Sequence, residues 1–142
     1  MSHIYKGACL CGDVRLTISA EPKSVLSCFC NDCSKGAGGT NQVIAKFSAK
    51  AVEITAKPDS ISKYIVNGTS SGSPKEKAFC RTCGCPLWTV PQSAKGELLL
   101  IRTSILENGL DLRPASEIFV RSRPSWVLPS HNTTQWDEMR KG

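Results

Sequence analysis

Eight cysteines fall along this 142-residue chain as Cys9-x-Cys11, then Cys28-x-Cys30-x-x-Cys33, then Cys80-x-x-Cys83 with Cys85 just beyond. Two thiolates one or two residues apart chelate one ion at little extra cost in loop closure, so zinc ligands travel in pairs of this kind. An even number of cysteines in a small chain also suits a disulfide framework. Cysteines one residue apart are poorly placed to bridge each other, and a chain of this length builds a core without covalent staples. The sequence MSHIYKGACLCG at the start lacks the apolar run of a signal peptide, and no stretch is long and apolar enough for a membrane helix. The expected setting is the reducing cytoplasm, with metal rather than disulfides.

The length and the absence of repeats or low-complexity tracts predict a single domain over residues 1–142. A formal charge of +6 invites a nucleic-acid partner. If seven thiolates bind two zinc ions, seven charges are subtracted and four returned, which leaves +3. The basic residues are scattered singly, apart from Arg113, Arg121 and Arg123, so a local site for a small anion is expected and a nucleic-acid track is not.

Short runs rich in β-branched and aromatic residues alternate with turn signals, and strands are predicted over 13–18, 25–29, 42–47, 52–55, 61–66, 77–79, 87–90, 98–103 and 117–120. Breakers such as Asn67-Gly68 and Asn108-Gly109 separate them. Many short strands predict an antiparallel, mainly β domain with little helix. The best helical candidate is the tail over 134–141, where Thr133 or Thr134 can cap and Trp136, Met139 and Arg140 share a face. A helical turn after Cys33 is weakened by the glycines that follow.

The cysteines divide by spacing. Cys9 and Cys11 lie on one face if the segment is extended, and Cys80-Arg81-Thr82-Cys83-Gly84 has the form of a zinc knuckle, its glycine allowing a positive φ. Together they make a four-thiolate structural site. Cys28, Cys30 and Cys33 supply three thiolates, and a zinc with three protein ligands keeps a position for substrate. Cys85 either fills that fourth corner, which makes both sites structural, or is a buried free thiol.

With these residues in view, the chain resembles the glutathione-dependent formaldehyde-activating enzyme family over nearly its whole length. The likeness rests on Gly7-Ala8-Cys9-Leu10-Cys11-Gly12-Asp13-Val14, Cys28-Phe29-Cys30-Asn31-Asp32-Cys33-Ser34-Lys35, Phe79-Cys80-Arg81-Thr82-Cys83-Gly84-Cys85-Pro86-Leu87 and Arg123-Pro124-Ser125-Trp126. Members often carry histidine where this chain has Phe29. The resemblance implies a β-tent (Mss4-like) domain organised around zinc. It implies a structural zinc on Cys9, Cys11, Cys80 and Cys83, and a second, catalytic zinc on Cys28, Cys30 and Cys33. The implied reaction joins glutathione and formaldehyde to S-(hydroxymethyl)glutathione, a carbon-sulfur lyase activity. The alternative is a zinc scaffold without enzymatic activity, since the same fold serves proteins that act on small GTPases.

An open thiolate zinc suits a substrate thiol adding to an electrophilic carbon. Arg121, Arg123 and Lys35 are candidates for a glutathione carboxylate, against an ordinary role as solvated charge. Asp32 could orient water or shape the turn, and Trp88 and Trp126 could wall a pocket or fill the core. His3 and His131 are read as incidental.

Overall fold

The computed structural model describes residues 4–69 and 72–139. Among the described residues, eleven strands form two sheets. The smaller sheet joins β1 (Tyr5–Ala8), β2 (Val14–Ile18) and β5 (Val52–Ala56) in the order β1-β2-β5. The larger comprises β3 (Ser24–Cys28), β4 (Gln42–Ser48), β6 (Ile61–Val66), β7 (Lys75–Cys80), β8 (Pro86–Pro91), β9 (Leu98–Arg102), β10 (Ser116–Ile118) and β11 (Thr134–Gln135). Its order is β11-β10-β3-β4-β9-β8-β7-β6. A single α-helix among the described residues, α1 (Asn31–Ala37), follows β3. The nine predicted strands are all present, and the fold is mainly β.

Alternation within the strands sets the two faces of the large sheet apart. The register aligns Ala45, Ile101, Trp88 and Ala78 across four strands. That row packs with Phe47 and Leu87 against Tyr5, Val14, Leu16 and Ile18 of the small sheet. The Tyr5 and Phe47 rings meet edge to face at 5.7 Å. The neighbouring row, Lys46, Leu100, Thr89 and Lys77, points the other way. Core therefore lies on one face, and the opposite face is free to carry a site.

The tail departs from its predicted helix. Thr134–Gln135 is a strand pairing parallel with β10, which itself runs parallel to β3; residues 140–141 of the predicted helix lie outside the described residues. The buried carboxylate of Glu117 supplies the reason. It accepts from Arg123 Nη1 at 3.3 Å, Ser130 N at 3.0 Å, Ser130 Oγ at 3.2 Å and Gln135 Nε2 at 3.0 Å. A buried carboxylate needs such partners, and meeting that need outweighs a modest local preference for helix. The Arg123-Pro124-Ser125-Trp126 motif thus acts as a clasp, with the Arg123 guanidinium also 5.5 Å from the Phe29 ring centroid.

Candidate metal centres and the adjoining pocket

Cys9 and Cys11 occupy the turn between β1 and β2. They do not lie on extended backbone as their spacing predicted, because the chain must reverse there: Gly12 N donates to Cys9 O at 3.1 Å, and Gly12 adopts φ +84°. The turn brings their sulfurs to 3.6 Å from each other. Across the hairpin, Cys80 ends β7 and Cys83 sits in the knuckle that follows. Gly84 takes φ +75° and its N–H reaches Cys80 O at 2.8 Å, as a knuckle requires. Thr82 Oγ1 donates to Asp13 Oδ2 at 2.9 Å and ties the two turns together.

All four sulfurs lie within 4.8 Å of one another, and Cys11 and Cys80 are 3.6 Å apart. A tetrahedral zinc with bonds of about 2.3 Å separates its sulfurs by about 3.8 Å, so this donor set fits the ion closely. Backbone N–H groups aim at the sulfurs, from Val14 to Cys9 at 3.3 Å and from Cys83 to Cys80 at 3.5 Å. Burial works against ionisation of Cys83, yet the N–H groups of Cys11 and Cys85 outweigh it and hold this thiol down to about 6.

Cys28, Cys30 and Cys33 form the second group, with sulfurs again within 4.8 Å of one another. Cys28 closes β3, Cys30 is the N-cap of α1, and Cys33 lies in its first turn, its N–H donating to Cys30 Sγ at 3.3 Å. Gly38 stops the helix with φ +71°. Hydrogen bonds from the Cys28 and Cys33 thiols hold Cys30 down to about 2, while Cys28 is pushed up by the same contacts and by burial. Both clusters can hold a metal ion. Cys85 falls in neither group; its sulfur faces the Pro86 carbonyl at 3.7 Å and packs on the core.

Beside the second group lies a cavity of about 420 Å³. Leu26, Ile44, Leu100 and Ile118 give it an apolar floor, and Lys46, Lys75 and Arg121 bring positive charge to its walls. Asp32 also lines it, with its carboxylate 3.6 Å from Lys75 Nζ and its carbonyl accepting from Lys77 Nζ at 2.9 Å.

Of the predicted anion-binding residues, Arg121 is at the pocket and pairs with Glu138 at 2.6 Å. Arg123 is committed to Glu117 and Gln135, and Lys35 is exposed on α1 away from the lining. Lys46 and Lys75 take the places sequence reasoning gave to those two. The signal was the strand alternation itself, because Lys46 shares a face with Ile44 and both neighbour the Cys28 strand. Trp88 is core and Trp126 is 75% exposed, so neither walls the pocket. His131 is exposed, and His3 lies outside the described residues.

Fold and sites define a class: a small, mainly β protein built around two cysteine clusters able to hold metal, one opening on a cationic pocket. The sequence matches the family described as glutathione-dependent formaldehyde-activating enzyme over residues 4–122. A Halomonas elongata protein bearing that family name is 30% identical over 129 residues, which span 87% of this chain and 80% of the relative. A crystal structure of a Rhodobacter sphaeroides protein aligns with a TM-score of 0.56 at 19% identity, covering 92% of this chain and 98% of the other. This chain belongs to the glutathione-dependent formaldehyde-activating enzyme family.

Proposed function

We propose that residues 1–142 act as one cytoplasmic zinc enzyme domain, with a structural zinc on Cys9, Cys11, Cys80 and Cys83 and a catalytic one on Cys28, Cys30 and Cys33. The reaction is addition of the glutathione thiol to formaldehyde. A carbon–sulfur bond forms, the carbonyl π bond breaks onto oxygen, and the thiol proton ends on the new hydroxyl of S-(hydroxymethyl)glutathione. Run in reverse, it is a carbon–sulfur lyase step. The observation that carries this reading is a group of three sulfurs opening into a pocket with lysines on its walls.

The bound ion would supply Lewis acidity that keeps an incoming thiol ionised at neutral pH. The chain's own residues do the rest. Lys46 and Lys75 attract the carboxylates of the tripeptide, while the apolar floor excludes water from the nucleophile. Asp32 keeps Lys75 at the rim through their ion pair and, through its carbonyl, holds Lys77 against α1.

The test is zinc stoichiometry on purified protein, before and after mild chelation, with circular dichroism and a formaldehyde-plus-glutathione assay. Two zincs are expected, one removable without unfolding and with loss of activity, restored on adding zinc back. Two zincs held alike, with no thiol-dependent activity, would favour a structural scaffold of the same fold.

A further inference from the structure

Arg102 is only 4% exposed. A guanidinium out of water needs hydrogen bonds and an opposite charge. Its Nη1 donates to Leu100 O at 3.1 Å and its Nη2 to Thr89 Oγ1 at 2.7 Å, but Nε is buried without a partner. Among the described residues no carboxylate pairs with it. Burial brings the group down to about 10, and the charges that oppose this are those of Cys33 and Cys28.

A second cation stands beside it. Lys77 is opposite Thr89 in register, and its ammonium donates to the carbonyl of Asp32, next to Cys33. Gly36 of α1 is held so close that a Cβ there would lie 2.6 Å from Lys77 Nζ. Gln42, directly opposite Cys28, is 5% exposed and has neither carboxamide atom hydrogen-bonded. Strand alternation places Gln42, Arg102 and Lys77 on the face that carries Cys28. Neither cation lines the pocket, so neither can touch a substrate held there.

We infer that Arg102 and Lys77 are charge-balancing positioning residues for the three-cysteine centre, matched to the state in which it also holds a substrate thiolate. This rests on the reading that Cys28, Cys30 and Cys33 bind zinc and a thiol. Three thiolates on a divalent ion carry one net negative charge, and a fourth thiolate makes two. Two cations on the same face of the sheet, outside the pocket lining, neutralise that state and leave the state without substrate with surplus positive charge. The ligand class selected is therefore an anionic sulfur, in preference to neutral ligands of equal size.

The experiment compares zinc-loaded wild type with Arg102→Met, Arg102→Lys and Lys77→Met. A chromophoric chelator competes for the weaker zinc, and calorimetry follows binding of glutathione and of S-methylglutathione, which lacks the thiol. In Arg102→Met, zinc retention at the three-cysteine centre and glutathione affinity should each fall about 10- to 100-fold, the range for outer-shell changes at metal sites. S-methylglutathione binding should not change, and Arg102→Lys should recover most of the loss. Circular dichroism and retention of the tighter zinc establish that the variants fold. A folded Arg102→Met protein with wild-type zinc retention and glutathione affinity overturns the inference. If Arg102→Met does not fold, Lys77→Met is read in the same way, with the same loss expected and wild-type behaviour overturning it. Should wild type bind the two peptides equally, the thiol reading fails, and zinc retention alone decides the charge pairing: equal values in wild type and variant overturn it. Uptake of a single zinc by wild type overturns both.

Discussion

The two cysteine clusters use the same chemistry in opposite ways. The four-cysteine knot joins segments 69 residues apart along the chain, and one of its cysteines, Cys11, is exposed. The three-cysteine centre comes from six consecutive residues, with Cys28 and Cys33 buried beside a cavity. A site that closes a long loop adds to the stability of the whole fold, since ion binding there replaces chain entropy that the unfolded state keeps. A site closed within a few residues asks little of the rest of the chain. It is free to be tuned for chemistry.

The contrast breaks most visibly at Cys80. Cys80→Ser should lose the folded state, because the structural zinc proposed there would contribute on the order of 10 kcal/mol, comparable to the stability of a whole domain. Loss of the β signal in circular dichroism at saturating zinc checks this. A Cys80→Ser protein that stays folded would erase the division of labour.

Next in size is Glu117→Ala, which removes the clasp holding the tail and leaves Arg123 without its buried partner. A cost of about 3–5 kcal/mol is expected from breaking a buried ion pair. The denaturant midpoint should drop, and proteolysis should cut first within 123–139. Cutting elsewhere would show that the clasp is incidental.

Cys30→Ser sharpens the comparison from the other side. Its stability change should stay within about 1 kcal/mol, while one zinc is lost and activity falls by about 100-fold or more, beyond an outer-shell effect. Thermal melting and metal analysis on the same sample separate the two outcomes. Smallest of all is Cys85→Ala, expected within about 1 kcal/mol with unchanged zinc content. A lost zinc there would reopen Cys85 as a ligand.

Ligand spacing made the two clusters legible in the sequence, because cysteines two or three apart have few alternatives once disulfides are set aside. The strands were legible through their alternation. β1 was not, since Gly7 breaks its pattern: a Cβ there would lie 2.7 Å from the carbonyl oxygen of Ile105, and the close approach excludes any side chain. The tail was misread because its strand is made by partners on β10 that no local pattern encodes. The cations of the pocket were hidden for a similar reason. Lys46 and Lys75 look like scattered surface charge until strand register places them on the side of the sheet that carries Cys28.

Glu117 and its clasp also set an order of events on the ribosome. Chains emerge N-terminus first, so Cys28, Cys30 and Cys33 are available as a compact trithiol long before the last residues that line the cavity have been made. Phe119, Arg121, Ser122 and Met139 arrive only after β9 and β10. The newborn trithiol is thus open to solvent during most of the polypeptide's synthesis, and its adjoining pocket is completed last.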